Sequence, residues 1–318
     1  MGQARQAVYL VTGGAGFIGS HLVEALVSRG DRVRILDNFS TGRWENLAHL
    51  ADAVEVVEGD IVDLPTVLSA MKDVRYVLHQ AAVASVEQSV RDPLQVHKVN
   101  VDGTLNVLLA AREARVERLI FASSAAVYGD SERLPLREDT PARALSPYAA
   151  SKVAGESYVQ SFSAAYALPT TILRYFNVYG PRQDPTSPYS GVITKFVTAL
   201  KRKEPPTIFG DGRQTRDFVY VGDVVHANLL ACSRREAVGK TFNIASGQQM
   251  SILQLSQVLN TLTSSSLSPR FAPPLLGEVR CSQADTSQAQ QLLRWSPETG
   301  LDAGLEQTVN WLATTTRV

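Results

Sequence analysis

Short β-branched runs alternate with helical periodicity through the first half of the chain. The predicted strands are apolar runs at residues 8–11, 32–36, 54–57, 76–78, 119–122 and 170–173. The predicted helices cover residues 17–29, about 94–114, and the residues from Ser146-Pro147 onward, where Ser suits the cap and Pro the first turn. This alternation predicts an α/β fold in which helices cover a parallel sheet.

The pattern of predicted elements changes after Gly180-Pro181, because proline and glycine there separate shorter elements. We therefore predict a sheet domain and a smaller lobe that binds the substrate. The sheet domain takes residues 1–179, with returning segments at about 221–246 and 300–318. The smaller C-terminal lobe takes residues 180–220 and 247–299.

Composition excludes several classes of function. The 318 residues carry 31 Lys and Arg against 31 Asp and Glu, so no net charge favours nucleic acid or an acidic membrane surface. Two cysteines, Cys232 and Cys281, are too few for a disulfide framework and fit a reducing cytoplasm. No apolar run approaches the ~20 residues of a membrane span, and the short polar start is not expected to be a signal peptide. We predict a cytoplasmic protein with no metal ion.

A glycine-rich turn joins the first strand to the first helix, with glycine at positions 13, 16 and 19. Such a turn lets a pyrophosphate approach the helix N-terminus, although many glycine turns only connect a strand to a helix. Asp37 ends the second strand 18 residues after Gly19, close to the ~20 expected for a carboxylate that holds an adenosine ribose. A carboxylate there repels a 2′-phosphate and favours NAD over NADP; the alternative is a surface turn.

Further polar positions follow the other predicted strands. Asp60 follows the third strand, where it can bind the adenine amine or serve as an ordinary cap or loop carboxylate. His79-Gln80-Ala81-Ala82 ends the fourth strand with small residues that let the backbone lie along a cofactor. Asn100 is either a satisfied polar group or a brace for that strand end, and the sequence does not separate the two.

Tyr148 and Lys152 lie one helical turn apart. A tyrosine titrates near pH ~10, but a lysine ammonium at this spacing, together with the positive ring of an oxidised nicotinamide, favours the tyrosinate. Such a base beside a hydride acceptor oxidises an alcohol. The alternative is an amphipathic helix with an unremarkable Tyr/Lys face.

Nearly the whole chain resembles the extended short-chain dehydrogenase/reductase family, specifically the UDP-hexose 4-epimerases and most closely those acting on UDP-N-acetylglucosamine. The matching motifs are TGGAGFIGSH at 12–21, LDNFSTG at 36–42, HQAA at 79–82, SSAAVYG at 123–129, YAASK at 148–152, RYFNVYGPRQDP at 174–185 and GDGRQTRDFVYV at 210–221. The resemblance implies a Rossmann-type doubly wound parallel sheet, an NAD cofactor and a UDP-sugar substrate.

The resemblance also assigns site residues. The implied catalytic residues are Ser124, Tyr148 and Lys152. The implied cofactor-binding residues are Gly13, Gly16, Phe17, Ile18, Gly19, Asp37, Asn38, Ser40, Thr41, Gly42, Asp60, Ile61, Gln80, Ala81, Ala82, Asn100, Tyr148, Lys152 and Tyr175. The implied substrate-binding residues are Ser85, Ser124, Tyr148, Asn177, Val192, Thr207, Phe209, Arg216, Arg280 and Ser282.

Two further features of the resemblance narrow the reaction to carbon 4 of the sugar. Dehydratases of this group carry an acid after the catalytic serine or threonine, where this chain has Ala125 and Ala126. Decarboxylases carry a different catalytic helix, of the type Tyr-Asp-Glu-Gly-Lys. The implied reaction is a 4-epimerisation by transient oxidation, in which Tyr148 is the base.

In the family that this chain resembles, the residue two positions before an Ala-Asp pair lies beside the 2-substituent of the sugar and acts as a gate. Here that residue is Ser282. In that family a small gate admits an N-acetyl group, and the segment from Asn177 to Pro185, followed by Tyr189 and Val192-Ile193, also resembles the N-acetylhexosamine members. We therefore expect interconversion of UDP-GlcNAc and UDP-GalNAc, with UDP-Glc and UDP-Gal also turned over. The alternatives are an epimerase of plain hexoses, an epimerase of UDP-glucuronate, with Arg182 facing carbon 6, or a non-catalytic NAD-sensing protein.

Relatives of this type are homodimers whose interface is built from helices equivalent to residues 94–114 and 147–166, so we expect a homodimer. Val153, Val159 and Phe162 on the second helix can face a partner, but core packing explains them equally well.

Overall fold

A seven-stranded parallel sheet forms the centre of the molecule, in the order β11-β6-β5-β4-β1-β2-β3. The computed structural model describes residues 7–131, 133–187, 190–274 and 279–315. The strands are β1 Val8–Thr12, β2 Arg32–Asp37, β3 Val54–Glu58, β4 Tyr76–His79, β5 Arg118–Ser124, β6 Thr170–Tyr175, β7 Asn177–Tyr179, β8 Thr207–Phe209, β9 Thr215–Arg216, β10 Phe218–Tyr220, β11 Lys240–Ile244, β12 Met250–Ser251 and β13 Arg270–Ala272. This order confirms the predicted doubly wound α/β fold.

Helices flank the sheet and build the second lobe. They are α1 Phe17–Ser28, α2 Leu64–Ala70, α3 Val86–Arg91, α4 Pro93–His97, α5 Gly103–Glu113, α6 Pro147–Tyr166, α7 Val192–Lys201, α8 Val221–Ser233, α9 Ile252–Leu262 and α10 Leu301–Thr315. Ser146 caps α6 as predicted, since its hydroxyl accepts a hydrogen bond from the Ala149 amide at 3.1 Å.

The sheet is buried on both faces, which explains why its strands are continuous apolar runs. Successive side chains of β1 enter opposite cores: Tyr9 and Val11 pack towards α1 and α8, whereas Leu10 packs towards α2, α5 and α6. The strand order reverses at β1, which pairs with β2 on one side and β4 on the other. The crevice at this reversal, beyond the carboxyl ends of the strands, is where doubly wound folds bind ligands.

The helix predicted for residues 94–114 is interrupted. Residues of α4 and α5 are joined by a π-helical turn, Lys98–Asp102, which contains Asn100. π-Turns of this kind are frequent at functional sites.

A separate apolar core holds the second lobe together, with Phe196 of α7, Ile208 of β8 and Leu255 of α9. Leu305 and Leu312 of α10 pack in this core, although we assigned residues 300–318 to the sheet domain. β11 lies in the returning segment 221–246 and pairs with β6. The division into two domains itself stays a prediction.

Candidate active site

The glycine turn forms a cradle at the end of β1. Gly13 has a φ of +68°, and a Cβ there would lie 2.8 Å from the Ala81 amide nitrogen; a Cβ on Gly19 would overlap the Gly13 carbonyl. α1 begins at Phe17 without a side-chain cap and without an acidic residue in its first turn. Because no side chain caps α1 and its first turn carries no acidic residue, a pyrophosphate can bind the amides at this helix N-terminus.

Asp37 is buried at the end of β2 rather than placed on a surface turn. Its carboxylate accepts hydrogen bonds from the amides of Ala15 and Phe39, both at 2.9 Å. Burial raises the pKa of Asp37, and the two amide hydrogen bonds lower it. Gly42 lies against the same carboxylate, whose Oδ1 is 2.8 Å from the position of a Cβ. The predicted ribose carboxylate and the glycine turn are thus held together.

The loop after β2 meets the loop after β3. Asn38 donates to Asp60 at 2.9 Å, and the second oxygen of Asp60 accepts from the Val62 amide at 2.9 Å. Asn38 accepts from the Ser40 amide, and Thr41 follows in the same loop. The Ile61 side chain is buried in the core. In the protein by itself Asp60 is therefore a loop carboxylate, and its contact with adenine stays a prediction.

Buried amides brace the ends of the central strands. Gln80 donates to the Tyr175 hydroxyl at 3.1 Å, and Asn228 of α8 donates to the same oxygen at 2.8 Å. The sequence analysis missed Asn228, for which the available signal was a single amide in an apolar helix. The Tyr175 hydroxyl is thus engaged within the protein, and its predicted role at the cofactor stays untested.

Asn100 proves to be both satisfied and a brace. Its side chain bonds both backbone groups of Val83, accepting from N–H at 2.8 Å and donating to C=O at 3.0 Å. It also donates to the Ser151 hydroxyl of α6 at 2.9 Å. Asn100 therefore connects the segment after β4, where Ala82 lies, to the helix that carries Tyr148 and Lys152.

The structure brings the three predicted catalytic residues together. Tyr148 and Lys152 are buried on the inner face of α6, and Tyr148 shares a hydrogen bond with Ser124 at the end of β5. The Lys152 ammonium donates to the Ala122 carbonyl at 2.8 Å and lies 6.0 Å from the centre of the Tyr148 ring. A hydroxyl, a phenol and an ammonium thus converge at the carboxyl end of β5.

Burial dominates the electrostatics of this group. Burial raises the pKa of the Tyr148 phenol, and the Ser124 hydrogen bond lowers it. Burial also lowers the pKa of Lys152 to about 8, while the Glu156 carboxylate raises it. Burial therefore outweighs the Ser124 hydrogen bond in the protein by itself, and the favoured tyrosinate beside an oxidised nicotinamide stays a prediction.

A buried ion pair supports α6 one turn beyond Lys152. Arg174 of β6 binds both carboxylate oxygens of Glu156, at 2.8 and 2.7 Å, and the Ser123 hydroxyl donates to Glu156 at 2.5 Å. The sequence analysis missed this pair, although the acid four residues after Lys152 was visible. The pair fixes the rotation of α6 against β5 and β6.

A cavity of about 680 Å³ is lined by residues between Asn177 and Arg270. The predicted substrate-binding residues that line it are Asn177, Val192, Thr207, Phe209 and Arg216. The wall also contains residues that we did not predict, Lys195, Phe196, Glu204, Gln214, Ile252 and Arg270. Its mixture of cationic, aromatic and amide groups suits a nucleotide.

Three other predicted substrate residues are not among those that line this cavity, and each has a partner within the protein. Ser282 is buried and accepts a hydrogen bond from the Asp217 amide at 3.3 Å. Arg280 forms a bidentate ion pair with Asp211, both bonds at 2.9 Å. The Ser85 hydroxyl caps α3 by accepting from the Gln88 amide at 3.0 Å. Their contacts with a substrate stay predictions.

Arg182, the candidate for a sugar carboxylate, pairs with Glu24 of α1. It is not among the residues that line the cavity, so this contact does not support the glucuronate alternative. Tyr189 of the substrate-lobe motif lies outside the described residues.

Within the described ranges, no group of three or more His, Cys, Asp or Glu is arranged to hold a metal ion. Among these same residues, no helix combines the length and apolarity that crossing a bilayer requires.

Comparison with known proteins establishes the class. The sequence model of the NAD dependent epimerase/dehydratase family matches residues 9–245. The chain belongs to this family, and it is an enzyme of the extended short-chain dehydrogenase/reductase type that depends on NAD.

Relatives narrow the class of enzyme to those of the UDP-sugar epimerase/dehydratase group. The chain is 42% identical to a UDP-glucose 4-epimerase of Mycolicibacterium smegmatis, across 95% of this chain and 97% of the relative. The UDP-glucose 4-epimerase of Thermotoga maritima, solved with UDP-glucose, has a TM-score of 0.93 and 39% identity over 97% of this chain and 99% of that one. A UDP-N-acetylglucosamine 4-epimerase of Methanobrevibacter ruminantium, solved with UDP-N-acetylmuramic acid, has a TM-score of 0.93 and 37% identity, over 98% of this chain and 100% of that one.

Proposed function

We propose that the protein is a UDP-sugar 4-epimerase that interconverts UDP-GlcNAc and UDP-GalNAc and also turns over UDP-Glc and UDP-Gal. The observation that carries the proposal is the meeting of Ser124 with the buried side chains of Tyr148 and Lys152 at the carboxyl end of β5; a nucleotide-sized cavity in the same chain supports it. Ala125 and Ala126 follow Ser124 and have no proton to move, which favours chemistry confined to carbon 4 over a dehydration.

NAD would be held by the glycine turn at its pyrophosphate, by Asp37 at a ribose, and by Lys152 at the other ribose. When bound, NAD supplies reversible hydride transfer at carbon 4. Tyr148 removes the proton of the 4-hydroxyl and returns it, and Ser124 orients the same oxygen by a hydrogen bond. Arg216 and Arg280 bind the diphosphate, for which the planar guanidinium is suited.

The 4-keto sugar must rotate between the two hydride transfers so that the opposite face of carbon 4 receives the hydride. The nucleotide therefore has to be bound more tightly than the sugar. The cavity wall supports this division, since its cationic side chains, Arg216, Lys195 and Arg270, lie in the second lobe. Ser282 is the small gate that leaves room for an N-acetyl group.

The test is incubation of the purified protein with UDP-GlcNAc, UDP-glucose and UDP-glucuronate in separate reactions without added NAD, followed by chromatographic separation of the 4-epimers. Fastest conversion of UDP-GlcNAc supports the proposal and shows that NAD is carried by the protein. Turnover of UDP-glucuronate alone contradicts the assignment of Ser282. No turnover even with added NAD favours the NAD-sensing alternative.

The activity should fall as the pH rises through about 8. Lys152 acts as an ammonium, and its pKa is lowered to about 8, so a rise in pH through this value removes the charge that favours the tyrosinate. We expect an alkaline limb in kcat/KM near this pH. The matched control is Lys152→Arg, whose guanidinium stays charged: its residual activity should lack this limb. A flat wild-type profile across this range would contradict the assignment.

We propose a homodimer formed through an exposed apolar face of α3, α4 and α6. Val86, Val90, Leu94 and Tyr158 are exposed on these helices, which pack against one another. Val159 and Phe162, by contrast, are buried in the core of the sheet domain, which favours core packing over contact with a partner. Apolar patches of this kind mark interaction sites.

Leu94→Glu should convert the dimer to a monomer, because Leu94 is 82% exposed in the single chain and a buried carboxylate is costly. Phe271→Glu is the matched control, since Phe271 is 59% exposed on β13, away from this face. Light scattering after gel filtration measures the mass. A wild-type monomer, or a dimer unaffected by Leu94→Glu, would overturn this interface.

A further inference from the structure

Asp217 is a fully buried carboxylate between β9 and β10. One of its oxygens accepts from the amide and the hydroxyl of Ser246, at 2.8 and 2.7 Å. The other accepts from the amides of Gly247 and Ala284, both at 3.0 Å. All four donors are neutral, so hydrogen bonds alone compensate the burial of this carboxylate.

The backbone of the same residue reaches two predicted substrate contacts. The Asp217 carbonyl accepts from the backbone amide of Asn177 at 3.1 Å and from its side chain at 3.0 Å. The Asp217 amide donates to the hydroxyl of Ser282 at 3.3 Å. Arg216, which lines the cavity, is its neighbour in the chain.

The Asp217 carboxylate also fixes the backbone around Ser282, residues 281–285, which we call the gate segment. It holds the amide of Ala284, two residues after Ser282, and Gln283 between them donates to the Gly247 carbonyl at 2.9 Å. The Ser282 amide donates to the Thr215 carbonyl at 3.2 Å, which ties the same segment to β9. The depth of the gate in the site therefore depends on Asp217.

We propose that Asp217 is a positioning residue, which shapes the sugar-nucleotide site through Asn177, Arg216 and Ser282 without touching the substrate itself; the proposal rests on the function proposed above. Three chain segments meet at this one carboxylate: β9, the loop after β11, and the gate segment. Loss of the charge loosens all three with respect to one another.

Asp217→Asn is the variant to test. An amide keeps one acceptor oxygen, but its NH2 group faces the donors that bound the other oxygen, so two of the four donors that bind the carboxylate lose their acceptor. Asp223→Asn is the matched control. Asp223 of α8 is also buried, and it accepts from the amides of Glu298 and Thr299 at 2.9 and 3.3 Å. None of these three residues is among those that line the cavity.

The measurements are thermal unfolding, the Kd of UDP by calorimetry, and kcat and KM for UDP-GlcNAc and UDP-glucose on the NAD-bound protein. We expect both variants to unfold at lower temperature. Asp217→Asn alone should weaken UDP binding and raise KM by roughly tenfold, and change the ratio of kcat/KM for the two sugars by about as much. Its kcat should stay close to that of the wild type.

Ser246→Ala, which removes one donor, should shift the same ratio in the same direction by a smaller factor, and it answers the question if Asp217→Asn does not fold. An unchanged ratio in the folded variants, with normal wild-type turnover, would overturn only the positioning role. Wild-type protein that neither binds UDP nor converts a UDP-sugar would overturn the proposed function as well.

Discussion

Tyr148→Phe should lower kcat by roughly 10²–10⁴, the range that a single placed proton-transfer group contributes. The change removes one oxygen and leaves the ring in its buried place on α6. NAD content and the Kd of UDP should therefore stay at wild-type values, which separates lost chemistry from lost binding. Ser124→Ala should cost less, because Ser124 orients the reacting hydroxyl but does not take its proton.

The matched control is Tyr166→Phe, at the exposed end of the same helix. It loses the same oxygen far from the site and should keep full activity. Steady-state rates at saturating UDP-GlcNAc measure the difference. A Tyr148→Phe protein within tenfold of the wild type would mean that another group is the base.

Ser282→Tyr should abolish most turnover of UDP-GlcNAc while UDP-glucose is still converted. A large side chain at the gate fills the space of the N-acetyl group; a single methylene in a pocket already changes kcat/KM by roughly 10–200-fold, and a tyrosine ring fills more space than that. The measurement is kcat/KM for the two sugars on the same preparation, so that continued UDP-glucose turnover proves the variant folded.

Ser282→Ala is the control for size. It stays small and loses only the hydroxyl that accepts from the Asp217 amide, so both sugars should still be converted. Equal losses for both sugars in Ser282→Tyr would show that the position acts on the nucleotide site as a whole and does not select the 2-substituent.

Local pattern predicted much of the sheet domain. Six strands were located from apolar runs, because a buried parallel strand reads as a continuous apolar segment. The catalytic pair was visible because four residues make one helical turn, and Asp37 because it ends a strand at a fixed distance from the glycine turn. The π-turn at Asn100 escaped, since one added residue leaves no mark in a helical pattern.

Contacts between distant residues could not be predicted in the same way. Arg182 and Glu24 are 158 positions apart, and Arg280 and Asp211 are 69 apart. No spacing rule connects such pairs, so the carboxylates that these arginines bind within the protein could not be read from the sequence. The raised pKa of Tyr148 was also hidden, because the spacing to Lys152 says nothing about burial.

The Glu156–Arg174 pair has a consequence for adapting this enzyme to heat. Replacing a buried ion pair by apolar residues often stabilises a protein at ordinary temperature, and the cost of keeping such a pair dehydrated falls as temperature rises. Here the same carboxylate raises the pKa of Lys152. Selection for stability at ordinary temperature therefore favours loss of the pair, which would lower the pKa of Lys152 and narrow the alkaline working range, whereas at high temperature stability and catalysis both favour keeping it.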